Sequence, residues 1–286
     1  MLLREAFETI YKPRNLRFAS KETIRLWNIA LRMFNKFRNR EATIDDLTDD
    51  IVAEFAGWRR ATCAAATVNR DLASVLALWR YLNRKGIIDR WPDVPLEPEP
   101  LRIPIAWTQD EFEQLLRTTR KARGFVGETL ASKWWPAVVL TCFDSGERIS
   151  AVMGLEWNDI DLASKWIIFR AENRKGRDRD SAVRIADETV VSLSRLPRDA
   201  KQVFHWPYTR QYLWKRYGTL LEKAGLPADR RRKFHCIRRT VASHAEAAGG
   251  NATELLRHAS RKNTLAYLDP RITKPQQAID YLWRPH

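Results

Sequence analysis

Transfer of a phosphodiester needs a nucleophile, cations to offset charge on the non-bridging oxygens, and a proton donor for the leaving oxygen. This sequence holds residue types for each task. Arg148 lies in TCFDSGERISAVMGLEWNDIDL, and Lys175 in the basic turn Arg174-Lys175-Gly176-Arg177. His235 and Arg238 stand three apart in FHCIRRTVASHAEAAG, and His258 precedes Tyr267 by nine residues in ATELLRHASRKNTLAYLDP. A planar guanidinium donates two parallel hydrogen bonds to a phosphate, which suits Arg148 and Arg238 to the non-bridging oxygens. With two permanent positive charges, neither a metal ion nor another cofactor is expected. A tyrosine such as Tyr267 stores the cleaved bond as a phosphotyrosyl ester, so no ATP is required. A free phenol is protonated at neutral pH, and it needs a proton acceptor or positive potential of the kind His235 and the arginines supply.

Each position alone has a plainer reading. Tyr267, in the apolar stretch TLAYL, passes for a core aromatic; His235 and His258 pass for interior histidines, and Lys175 for a solvated loop cation. Arg174, Arg177 and Arg179 crowd the same turn, and the choice of its acting cation stays open among them. The conjunction of all these groups favours the chemical reading.

The elements that must carry them are mostly helical. The chain has 286 residues, 44% hydrophobic and 30% charged, enough to bury a substantial core in about two domains. Fifty Lys and Arg against 35 Asp and Glu give a net charge of +15, which implies a polyanionic partner. Residues 1–100 hold 17 basic and 14 acidic residues; residues 101–286 hold 33 and 21, so the stronger contact is expected in the C-terminal part. No run approaches the roughly 20 apolar residues of a membrane span, and charge interrupts MLLREAFETIYKPR before a signal-peptide core forms. A cytoplasmic protein without membrane contact is expected. Cys63, Cys142 and Cys236 lack disulfide or zinc spacing and read as reduced thiols.

In SKETIRLWNIALRMFNKF, Ile24, Trp27, Leu31 and Phe34 recur at helical intervals behind a capping Ser20, and Thr48 caps a second helix begun by Asp49 and Asp50. The spacing of Val68, Leu72, Val75, Trp79 and Leu82 predicts a third, opened by Thr67 and closed by Gly86, with Asn69, Arg70, Arg80 and Arg84 on other faces, either solvated or reaching DNA. Five prolines between Pro92 and Pro104 predict an extended linker. Thr108 then caps another helix, an apolar helical stretch follows Pro136 to Gly146, and strands are expected only at Trp166–Phe169 and Ala182–Ile185, flanking the basic turn.

The four segments quoted first, in this order, resemble the tyrosine recombinase (phage integrase) family: its first arginine box at Arg148, its hairpin lysine at Lys175, its His-x-x-Arg box at His235 and Arg238, and its last box at His258 and Tyr267. The helical N-terminal part resembles that family's core-binding domain. The resemblance implies a mainly α fold with a small β-sheet: a helical core-binding domain over residues 1–91, a linker over 92–107, and a catalytic domain over 108–286 with a tail from 268. It implies a site-specific recombinase that cleaves and rejoins double-stranded DNA through a 3′-phosphotyrosyl intermediate, its two domains clamping the duplex from opposite sides. Four protomers act on two sites through a Holliday junction. Lys175 protonates the leaving 5′ oxygen, and His258 donates a hydrogen bond to the phosphate. With core-binding helices almost at the start, core-site recombination without an arm-site domain is expected. The tail, with Ile279, Tyr281, Leu282 and Trp283 as an apolar patch, is expected to dock on a neighbouring protomer.

Some positions depart from the family pattern. Glu147 stands where a leucine is common, Ala151 where an acid often buttresses the arginine, Arg239 in place of a second histidine, and Arg257 in place of a glycine. A different set of neighbours must therefore orient Arg148, and Arg257 is expected to add charge and bulk near the phosphate. Two rival readings remain: a DNA-binding relative without activity, and a type IB topoisomerase-like enzyme.

Overall fold

The computed structural model describes residues 1–174, 179–274, 280 and 283. The chain divides into two compact units, Met1–Leu101 and Arg102–His286. In the first, α1 (Leu3–Glu5), a π-helical turn over Ala6–Tyr11 and α2 (Lys12–Asn15) precede α3 (Lys21–Arg38), α4 (Asp49–Arg60) and α5 (Ala65–Arg84). Ser20 caps α3 by accepting from the Thr23 N–H at 3.1 Å, and Thr48 caps α4 by accepting from Ile51 at 3.3 Å. Trp27, Leu31 and Phe34 of α3 meet Val52 and Phe55 of α4 and the stripe Val68, Leu72, Val75, Trp79 and Leu82 of α5 in one core.

Two expectations for α5 are corrected. The helix opens at Ala65, with Ala64 as its cap, and Thr67 lies inside the first turn. Alanine has the highest helix propensity, so the alanine run carries the helix back past the threonine. Asn69 does not face solvent: its side chain donates to the Glu97 carbonyl at 2.9 Å and accepts from the Glu97 N–H at 2.8 Å. Arg70 is engaged with its neighbour Asp71, whose other oxygen takes two bonds from buried Arg59 at 2.6 and 3.0 Å. Arg80 and Arg84 stay exposed.

The proline-rich run carries neither helix nor strand, and its two ends are fastened differently. Val94 packs into the core of the first unit, whereas Ala106 and Trp107 are buried in the second. There the Ala106 N–H donates to Asp269 Oδ2 at 2.9 Å and the Trp107 N–H to Thr240 Oγ1 at 2.8 Å. Residues 105–107, the end of the run expected as an extended linker over 92–107, thus form a strap on the second unit.

The second unit begins with α6 (Gln109–Arg120), opened by reciprocal bonds between Thr108 and Glu111. A two-stranded ribbon, β1 (Phe125–Val126) and β2 (Thr129–Leu130), leads into α7 (Ala131–Ser145). The α7 helix starts five residues before Pro136, which stands inside it. The missing proline N–H leaves one Ser132 carbonyl without its helical partner, and the buried Trp134 and Trp135 hold that turn in place. After α8 (Ile149–Val152), strands β3 (Ile160–Asp161), β4 (Trp166–Phe169) and β5 (Ser181–Arg184) form an antiparallel sheet in that order. Ile167, Phe169 and Val183 face the core, and Trp166 and Ile168 face out. Strands β1, β2 and β3 lie outside the single strand region expected; at two residues each they have no periodicity to read. Helices α9 (Asp187–Ser194), α10 (Arg210–Lys223), α11 (Phe234–Ala247), α12 (Ala252–Leu255), α13 (Arg261–Leu265) and α14 (Pro270–Thr273) complete the unit. No helix of the described residues is long and apolar enough to cross a membrane.

Candidate active site

Three turns of backbone deliver the candidate groups. Gly146, at φ +60°, ends α7 in the left-handed conformation and reverses the chain. Arg148 follows as the cap of α8. At the start of α11, Phe234 is stacked on Tyr217 with ring centroids 4.0 Å apart. That anchor fixes the first turn, and His235 and Arg238, three apart, share one face of it. Asn251 caps α12 through the Thr253 and Glu254 N–H groups; His258 follows α12, and Tyr267 follows α13.

These groups converge on Tyr267. Its half-buried ring lies 5.0 Å from the His235 ring, 4.9 Å from the His258 ring and 5.5 Å from the Arg238 guanidinium carbon. Its carbonyl accepts from Ser243 Oγ at 3.2 Å, and the same Ser243 oxygen accepts from the Asp269 N–H at 2.8 Å. Two bonds to α11 thus hold the tyrosine segment on both sides of Leu268.

Arg238 is almost fully buried. One terminal nitrogen donates to the Gly146 carbonyl; the other donates to the Leu256 carbonyl at 2.8 Å and to His258 Nε2 at 3.0 Å. Arginine has no acceptor, so His258 Nε2 accepts and the ring proton sits on Nδ1. That proton is directed to Thr264 Oγ1 at 3.1 Å, which donates in turn to Thr253 Oγ1 at 3.0 Å. A histidine wired this way must exchange tautomer or gain a proton before Nε2 can donate to a phosphate.

The electrostatics are those of an anion site. Burial, and then the neighbouring Arg239, Arg238 and Arg148 charges, push His235 down to about 4. Burial, Arg238 and Arg148 push His258 down to about 4 as well. Burial and the Arg148 charge lower Arg238 to about 10, which leaves it charged at neutral pH.

The departures from the family pattern also find places. Glu147 is buried, with Oε1 3.0 Å from Arg174 Nε and 3.5 Å from Arg257, and Oε2 4.0 Å from Arg238. Arg257 adopts φ +54°, a conformation that suits glycine. It is held there by donation to the Ser145 carbonyl at 3.1 Å and the Leu255 carbonyl at 2.8 Å. Its guanidinium is therefore turned to Glu147 and backbone oxygens, and the extra charge expected near a phosphate is largely compensated.

Arg148, His235, Arg238, His258 and Tyr267 are all within the second unit; His235, Arg238 and His258 each adjoin the Tyr267 ring, and Arg238 bonds His258. Lys175 lies outside the described residues, as do Ile279, Tyr281 and Leu282 of the tail; Trp283 is exposed. Thr264, Ser243 and Asp269 went unrecognised in the sequence. Only Asp269 carried a signal there, as an aspartate preceding the proline that opens α14.

A model of the phage integrase family matches residues 106–273, and one of the phage integrase N-terminal SAM-like domain matches residues 14–86. The tyrosine recombinase XerC of Roseiflexus castenholzii is 27% identical over 279 residues, covering 89% of this chain and 84% of the relative. That of Listeria monocytogenes is 25% identical over 301 residues, covering 98% and 96%. Among solved structures, the Tn1549 transposon integrase in complex with transposon right-end DNA aligns with TM-score 0.76 at 16% identity, covering 94% of this chain and 95% of that one. A lambda integrase dimer bound to a core site aligns with TM-score 0.73 at 14% identity, covering 97% and 80%.

Proposed function

The chain belongs to the phage integrase family, and on that premise we propose that it is a site-specific DNA recombinase working through a 3′-phosphotyrosyl intermediate. The observation that carries the reading is the convergence of His235, Arg238 and His258 on the Tyr267 ring. In cleavage, the Tyr267 oxygen bonds to the scissile phosphorus while the bond from phosphorus to the 5′ oxygen breaks. Arg148 and Arg238 balance charge on the non-bridging oxygens. His235 takes the phenol proton, and Lys175, assigned from sequence alone, gives a proton to the departing 5′ oxygen. A 5′ hydroxyl from a partner strand then attacks the phosphotyrosine and restores the tyrosine.

The low His235 value fits the free protein. A bound phosphate adds negative charge beside Arg148 and Arg238, offsets the field that suppresses His235, and makes the imidazole a better base. The same anion competes for the Arg238 nitrogen now bonded to His258 Nε2.

The two units take the roles of a core-binding domain, residues 1–91, and a catalytic domain, residues 108–286, with four copies acting on two DNA sites in the cytoplasm. The inactive and topoisomerase-like readings are not favoured: the named relatives are recombinases, and every candidate catalytic residue type is present in this sequence.

The test is a nicked suicide duplex carrying the recombination site. Wild-type protein is expected to form a denaturation-resistant adduct, mapped by peptide sequencing to Tyr267, and Tyr267→Phe to form none. An adduct with Tyr267→Phe, or no adduct with wild type on its own site, rejects the proposal.

A further inference from the structure

Glu147 is a buried acid placed among arginines, one residue before Arg148 in the chain. Its Oε1 is 3.0 Å from Arg174 Nε, with the two side chains only 2% and 11% exposed. Arg174 stands where the arm from β4 enters the basic turn, and its other donor reaches across to the Arg179 carbonyl on the returning arm at 2.8 Å. One guanidinium, carried on the first arm, therefore bonds the returning arm and the carboxylate beside Arg148. A bond to a charged partner in a site this dry is stronger and more directional than a solvated surface pair. Other ties of the arms run elsewhere: Arg170 pairs with Asp159 at 2.6 Å and Asp180 at 3.4 Å, and Asn173 donates to the Gly154 carbonyl at 2.9 Å. The Glu147–Arg174 pair is an ionic contact that joins the hairpin arms to the segment bearing Arg148.

We infer that Glu147 and Arg174 are positioning residues, a latch that ties the arms of the basic hairpin, at Arg174 and Arg179, to the segment bearing Arg148 and thereby governs protonation of the leaving 5′ oxygen. The inference rests on the proposed function, in which the acid comes from that hairpin. In this reading both act indirectly: Glu147 through Arg174, and Arg174 through the Arg179 carbonyl on the returning arm. Arg257 serves the same carboxylate, 3.5 Å from Oε1, and helps to hold it in place.

The experiment compares single-turnover cleavage of two suicide duplexes, one normal and one with sulfur replacing the bridging 5′ oxygen. A thiolate leaves without protonation, so a defect in delivering the proton disappears on the sulfur substrate, while a defect in fold or phosphate binding persists. Glu147→Gln and Arg174→Gln are each expected to slow normal cleavage by about tenfold or more, a part of the roughly 100- to 10,000-fold that a general acid contributes. On the sulfur substrate both should come within about threefold of wild type, and the double variant should be no slower than the worse single one, as coupled residues require. Normal-substrate rates equal to wild type, defects that survive sulfur substitution, or additive defects overturn the inference. If Glu147→Gln melts below the assay temperature, Arg174→Gln alone decides between these outcomes. Lys175→Ala is run in parallel. Should sulfur fail to restore its cleavage, the assignment of the acid to Lys175 falls, separately from the latch.

Discussion

His235 and His258 are neutral over the physiological range because burial and guanidinium charge oppose a further proton. Their folded values near 4 lie below the ordinary 6.5. As pH falls from 6.5 toward 4, the unfolded chain takes up protons at these positions and the folded chain does not, so stability declines across that window. Above 6.5 neither histidine makes stability depend on pH. In a histidine-selective NMR titration, His235 and His258 are expected to show midpoints near 4, and His258 the pattern of a ring protonated on Nδ1. Addition of a short cognate duplex should raise both midpoints. Midpoints at 6.5 in the free protein would remove the field described here. The residues that hold these charges were legible in the sequence because arginine, histidine and tyrosine at such spacings are uncommon in conjunction. Their supports were less so. Thr264 is one threonine among many, and Glu147 was visible only as a departure whose partners, Arg174, Arg238 and Arg257, lie 27, 91 and 110 positions away.

At the level of elements, the strap of residues 105–107 and the tyrosine segment are one assembly. Buried Asp269 accepts from the Ala106 N–H at 2.9 Å and from Arg271, while Ser243 joins the backbone on either side of Leu268 to α11. Asp269→Ala leaves a buried N–H and a guanidinium without their acceptor, at a cost of about 2–3 kcal/mol. The urea midpoint of the catalytic unit should fall accordingly, and adduct formation should slow because the Tyr267 segment is less firmly held. An unchanged midpoint would mean that other groups take over these bonds. Helix caps at Ser20, Thr48 and Thr108 were readable because a side-chain oxygen bonds an N–H three residues on, a local event. The strap was not readable: proline spacing predicts an extended chain but says nothing of the surface it lies on. The start of α7 was misplaced for a related reason, since packing of Trp134 and Trp135 outweighs the local cost of Pro136.

For the whole molecule, the +15 charge divides by task. Cations along the DNA backbone release counterions and make affinity fall steeply with salt, whereas those at one scissile phosphate add little to that slope. Arg148→Ala is therefore expected to reduce single-turnover cleavage by about 100-fold or more, with binding to the intact site within about threefold of wild type and a salt dependence changed by no more than about one counterion. Equal losses of affinity and cleavage would make Arg148 a binding residue. Arg238 differs in kind. Its guanidinium bonds the Gly146 carbonyl at the end of α7 and the Leu256 carbonyl after α12, so it is a structural tie as well as the proposed anion ligand. This constrains how such a protein can decay in evolution. A lineage that gives up strand transfer but keeps DNA binding can discard the Tyr267 hydroxyl at little structural expense, whereas loss of Arg238 would leave the Gly146 and Leu256 carbonyls without their donor. A surviving arginine at this position is accordingly poor testimony that a descendant is still an enzyme, and the tyrosine is the better witness.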